Sequence, residues 1–134
     1  METEKVCVNL PPAELGKIDL LVAQGLYSSR TDVIRAGIRE VFEEHDDVFE
    51  DLADAFGSSS PRVGYQILSK GELETAKGAG RRLEIVCVGV LRIGPTVTPE
   101  LADQTIERIR IFGALRGPKE VLKILEPRVV RGMG

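Results

Sequence analysis

The sequence predicts an α+β chain in two parts: a strand with two amphipathic helices that fold only as an obligate dimer, then a small β-α repeat domain. Three observations lead there. Residues 5–10 alternate apolar and polar with period two, ahead of two helical stripes and with no second strand close by. Residues 46–61 are acidic and end in a glycine, serine and proline run that divides the chain. Residues 62–134 repeat, with Ile-x-x-x-Gly-x-Leu beginning at Ile67, Ile85 and Ile109.

In the first part, Val6, Val8 and Leu10 share one strand face, and Lys5, Cys7 and Asn9 the other. Pro11 and Pro12 end the strand, since neither has an N–H to donate and proline suits a first helical turn. Leu15, Ile18, Leu21 and Val22 then recur at helical spacing, and Gly25 can take the left-handed conformation that closes the helix. A second helix opens at Ser29, whose hydroxyl can accept a hydrogen bond from the N–H of Asp32. Its apolar stripe is Val33, Ile34, Gly37, Ile38, Val41 and Phe42. One strand cannot stand alone, because its ladder groups would be unpaired and about 40 residues give too little core. Pairing residues 5–10 antiparallel with the same segment of a second chain solves both problems. Dimerisation is then part of folding.

Residues 5–44 resemble the ribbon-helix-helix DNA-binding proteins (Arc/MetJ/CopG type). The likeness lies in the strand KVCVNLP, in the turn and second helix GLYSSRTDVIRAGIRE, and in the spacing between them. It covers about the first third of the chain. It implies a dimeric, sequence-specific transcriptional regulator, with repression the expected sense, whose paired strands enter the major groove of double-stranded DNA. Carried over position by position, the base readers are Lys5, Cys7 and Asn9, and the start of the second helix holds a phosphate at Ser28, Ser29 and Arg30. Lysine can donate to guanine O6 and N7, and asparagine can pair bidentately with adenine N6 and N7. Cys7 is the weak member, able at most to touch a thymine methyl. The free N–H groups and positive end of a helix suit a phosphate oxygen. Alone, an exposed strand lysine is more often a solvated edge guard, and Ser29 is first of all a helix cap.

Charge is unevenly spread over the 134 residues, whose net value is −3. Residues 1–45 carry five Lys/Arg against eight Asp/Glu, residues 46–61 none against five, and residues 62–134 thirteen against eight. The presumed reading head is mildly acidic, so its affinity depends on where Lys5 and Arg30 sit relative to the groove. Absent tryptophan and scarce aromatics argue against stacking of single-stranded bases. No long apolar run or leader pattern is present, and the two cysteines lack metal-ligand spacing, so a reduced, cytoplasmic setting with no membrane contact is expected. No catalytic constellation is evident, and Gly78-Ala79-Gly80 lacks the strand-loop-helix setting of a nucleotide site. No cofactor is expected. His45, the lone histidine, reads as a surface residue, and a tail without histidine does not support metal sensing of the kind found in a nickel-responsive member of the family.

The organisation expected is a ribbon-helix-helix domain at 1–45, an acidic helical extension and linker at 46–61, and a repeat domain at 62–134. In HDDVFEDLADAF, Val48, Phe49, Leu52 and Phe56 keep the helical beat. Either the second helix runs on, or a break near 45–47 starts a third. In the tail, Arg92 and Arg116 follow their Gly-x-Leu motifs and are themselves followed by Gly-Pro at 94–95 and 117–118. A period near 20–25 residues is that of a solenoid. Each unit reads as a short strand and a short helix, with Pro99 and Pro118 in first helical turns and Thr98 as a cap. Parallel strands follow, in a leucine-rich-repeat-like architecture without that family's leucine consensus. IVCVGVL, residues 85–91, is apolar on both strand faces, so helices can cover only one. The other is expected to support a higher oligomer through 62–134, beyond the homodimer through 5–42. The competing reading is a structural or interaction protein, or an antitoxin, in which the first domain only dimerises and the repeat domain binds a protein partner.

Overall fold

The computed structural model describes residues 3–132 and divides into two compact units, Met1–Asp46 and Asp47–Gly134. In the first unit, residues 3–11 form neither helix nor ladder within a single chain. Helix α1 spans Pro12–Ala23 and helix α2 spans Arg30–Glu44. Proline at the first position starts α1. Gly25, at φ +78°, ends it: its N–H bonds the Val22 carbonyl at 3.0 Å, and that of Leu26 reaches the Leu21 carbonyl at 3.1 Å. Leu15, Ile18, Leu21 and Val22, the stripe read from the sequence, are the half-buried residues of α1. Yet no residue of either helix is fully buried. Ile34, Ile38, Val41 and Phe42 leave most of the α2 stripe exposed.

A break at His45 separates α2 from α3 (Asp46–Glu50), and α4 (Leu52–Phe56) follows, so the sequence alternative with a third helix holds. The second unit then alternates strand and helix: β1 (Ser60–Leu68), α5 (Lys70–Gly78), β2 (Leu83–Ile93), α6 (Pro99–Thr105), β3 (Ile106–Arg116), α7 (Lys119–Leu125), and β4 (Val129–Arg131). The four strands form one parallel sheet in the order β1-β2-β3-β4. Each helix therefore links neighbouring parallel strands, as strand-helix alternation requires. Ser69 and Thr98 cap α5 and α6 by accepting the N–H of Glu72 and Leu101 at 3.1 and 3.2 Å.

One sheet face and the helices make the core. Ile85, Cys87, Leu91 and Ile93 of β2 and Ile109, Ile111 and Leu115 of β3 pack with Leu73, Ala76, Leu101, Ala102, Val121 and Leu125 of the helices. On the other face α3 and α4 cover part of the sheet: Leu52 is buried, the Phe56 and Phe112 rings lie 5.5 Å apart, and Arg110 sits over Phe56. The remainder, Val63, Tyr65 and Ile67, is open.

The register corrects the first copy of the repeat. Gly64, Gly89 and Gly113 lie side by side across the strands, whereas Ile67 faces Arg92 and Gly71 lies in α5. The first copy thus begins at Ser60, where neither Ser60 nor Gln66 matches the isoleucine and leucine of the template. At Gly89 and Gly113 φ is +133° and +129°, and an added Cβ would fall on the carbonyl of the preceding strand's glycine. Glycine is needed there for both conformation and space.

Candidate nucleic-acid interface

Lys5, Cys7 and Asn9 are all exposed, and none makes a hydrogen bond or ion pair among the described residues. The apolar residues between them are just as open: Val6 is 80% and Val8 72% exposed. A run that alternates in character thus buries neither set among the described residues.

The start of α2 is built in detail. Ser29 is its N-cap, accepting the Asp32 N–H at 3.1 Å on its hydroxyl and the Val33 N–H at 3.2 Å on its carbonyl. The N–H groups of Arg30 and Thr31 lead the helix, where no intrahelical acceptor exists. Ser28, Ser29 and Arg30 thus come together at one helix end, with two outward donors and the positive end of the helix dipole. The Ser28 hydroxyl donates to the Asp32 carboxylate.

Arg30 does not project freely. Its guanidinium forms a bidentate pair with Asp19 of α1, Nε to Oδ1 at 2.7 Å and Nη2 to Oδ2 at 2.9 Å. These hydrogen bonds hold the Asp19 carboxyl below the usual carboxylate value, and the Asp19 carboxylate raises Arg30 further in turn. The pair ties α2 to α1 and fixes the guanidinium, while cancelling part of the charge offered to a phosphate. Nothing in the sequence pattern marks Asp19, which lies outside the apolar stripe and across a turn. Arg35 and Arg39 of α2, both exposed, add cations; their spacing of four on one helix was a legible signal.

Among the described residues, no group of three or more His, Cys, Asp or Glu is placed to hold a metal ion, and no helix is long and apolar enough to cross a membrane. Cys87 is buried in the core, and burial pushes its thiol up from the ordinary value.

A family model described as the Ribbon-Helix-Helix transcriptional regulator family matches residues 1–122. The chain belongs to this family. Membership makes the ribbon-helix-helix protein a DNA-binding regulator of transcription. The match runs through α6 and β3 into α7, so most of the second unit falls within the family's shared plan. The protein is also similar to the transcriptional regulator CdrS of Halobacterium salinarum (strain ATCC 700922 / JCM 11081 / NRC-1). The two are 30% identical over 44 residues, which is 33% of this chain and 80% of the relative. No solved structure matches the ribbon-helix-helix protein.

Proposed function

We propose that the protein is a dimeric, sequence-specific repressor that inserts a two-stranded antiparallel ribbon, residues 5–10 of each chain, into the major groove. One observation carries the reading: no described residue of the first unit is buried, and Val6 and Val8 stand open beside exposed Lys5, Cys7 and Asn9. A second chain that pairs with this segment lets Val6, Val8 and Leu10 turn inward over the four helices. The alternation then turns Lys5, Cys7 and Asn9 outward together. Lys5 and Asn9 supply the hydrogen-bonding chemistry for guanine and adenine, and Cys7 at most an apolar contact. The N–H groups of Arg30 and Thr31, with the Ser29 hydroxyl and the Ser28 hydroxyl once it turns away from Asp32, anchor a backbone phosphate and set the register of the ribbon.

The first unit is net acidic, which weakens non-specific attraction. Self-association through the second unit offsets this by linking several heads, so that each binds at a raised effective concentration. We read that unit as a short β-α solenoid, supported by its sequential parallel strand order and the side-by-side glycines. The protein works as a cytoplasmic regulator without cofactor or catalytic step.

The test is a titration of duplex DNA fragments at two salt concentrations with wild type and with Lys5→Ala/Asn9→Ala. Specific binding should fall at least about 30-fold in the variant, since even two lost base contacts at about 1–3 kcal/mol each amount to that and two readers go from each chain, while the dimer persists. Wild type that binds no duplex at low salt would overturn the reading.

A further inference from the structure

The second unit presents one long, open sheet edge. β1 is nine residues long and pairs only with β2. The Val63 carbonyl takes the Gln66 side-chain amide at 2.9 Å, a stand-in for the donor a neighbouring strand would bring. Proteins blunt such edges by shortness, by lysines or by a covering element. The far edge, β4, is three residues long. On β1 the only such device is Pro61 near its start, and its one charge, Arg62, is paired with Glu72 of α5. Val63, Tyr65 and Ile67 are 47%, 57% and 55% exposed on the face away from α5, α6 and α7.

We propose that this edge pairs with the β1 edge of a second copy of the chain, antiparallel about a two-fold axis at Gly64, to join two four-stranded sheets into one. The proposal rests on the N-terminal dimer described above, which tethers two copies and raises the effective concentration of each edge for the other. The strand is self-complementary about Gly64. Val63 falls opposite the partner's Tyr65, an aromatic and β-branched pair of the kind that stabilises antiparallel sheets, and symmetry makes it twice. Ile67 falls opposite the partner's Pro61. Arg62 meets the partner's Gln66, so no like charges oppose each other.

Gly64 fits the axis. Directly opposed residues of a non-hydrogen-bonded antiparallel pair bring their Cα atoms to about 4.5 Å. A glycine at that point leaves the approach clear. Gly64 shares the positive φ of Gly89 and Gly113, at +92°, but the space a Cβ would fill there holds nothing within 4 Å, where the other two meet a neighbouring backbone. Head-to-tail pairing of β4 with the β1 of another copy would offer a three-residue ladder and grow an open filament. Edge-to-edge pairing uses all nine residues of β1 and closes.

Full-length chain carrying Cys7→Ser, so that buried Cys87 is the remaining native thiol, allows a direct test. Val63→Cys/Tyr65→Cys in that background should be converted mostly to covalent dimer by a short bismaleimide, with at least fivefold more product than Lys77→Cys in exposed α5. Independently, the Val63, Tyr65 and Ile67 amides of wild type should exchange hydrogen at least tenfold more slowly than the same strand in Val63→Lys/Ile67→Lys, two exposed sites where lysine leaves the core untouched. Cross-linking no greater than at Lys77→Cys, or exchange as fast as in the lysine variant, overturns edge pairing. Sedimentation separates this from the N-terminal reading. A dimer mass without the cross-link sinks the edge alone, and a monomer mass sinks both.

Discussion

The two units treat their apolar residues in opposite ways. In Asp47–Gly134 the isoleucines and leucines of β2 and β3 vanish beneath three helices, whereas in Met1–Asp46 Val6, Val8, Ile38, Val41 and Phe42 all face outward. Similar residue types meet different fates because the second unit pairs its own strands, whereas the first has no ladder among its described residues. The first leaves every described residue at least partly exposed. The second is a domain with one unfinished edge.

The largest effect should therefore come from separating the chains. On dilution the first unit should lose its helical signal while the second keeps its own, so the lower of two thermal transitions should move with protein concentration and the upper should not. Val8→Asp should weaken the dimer at least a hundredfold, since a buried valine contributes about 1.5–3 kcal/mol and is lost from both chains. A concentration-independent lower transition would break the contrast.

Core damage should act on the second unit alone. Leu73→Ala, at a fully buried site, should cost about 2–5 kcal/mol. Gly113→Ala should cost about as much, because it adds a positive-φ penalty to a Cβ placed on the Gly89 carbonyl. Denaturant melts should show the upper transition falling and the lower one unmoved in both variants.

Thiol labelling sharpens the comparison further. Exposed Cys7 should react at the rate of a free thiol, and buried Cys87, whose thiol burial pushes up, only when the second unit opens. Duplex that carries the operator should slow Cys7 and leave Cys87 unaffected. Equal rates for the two in free protein would contradict the division.

The smallest effect concerns the one ion pair that joins α1 to α2. Because the folded-state value of Asp19 is depressed, its contribution is complete above the ordinary 3.8 and disappears as pH falls through the lower folded value. A carboxyl titration followed by NMR should place the Asp19 midpoint below 3.8, and Arg30→Gln should return it to the ordinary range. The same substitution should weaken DNA binding only modestly if the helix N–H groups hold the phosphate.

Much of this was legible in local pattern. Ser29 and Gly25 fix helix ends by hydrogen bonds made within a few residues, and Pro12 by its locked φ, so all three can be read from the chain alone. The Ile-x-x-x-Gly-x-Leu spacing exposed β2 and β3 for the same reason. The first copy was misplaced because β1, at the sheet's edge, keeps the glycine of the motif but not its isoleucine and leucine. The Asp19–Arg30 pair was not legible, since it joins side chains from two helices whose packing no periodicity encodes.

The sequence by itself determined the helices of the first unit, their caps and the strand-helix alternation of the second, because each follows from local backbone chemistry and the spacing of apolar residues. Only the tertiary structure decided which glycines lie side by side, which arginine is already engaged by a carboxylate, and which sheet edge is left without a neighbour. Those depend on distances between segments far apart in the chain, and only the folded packing sets them.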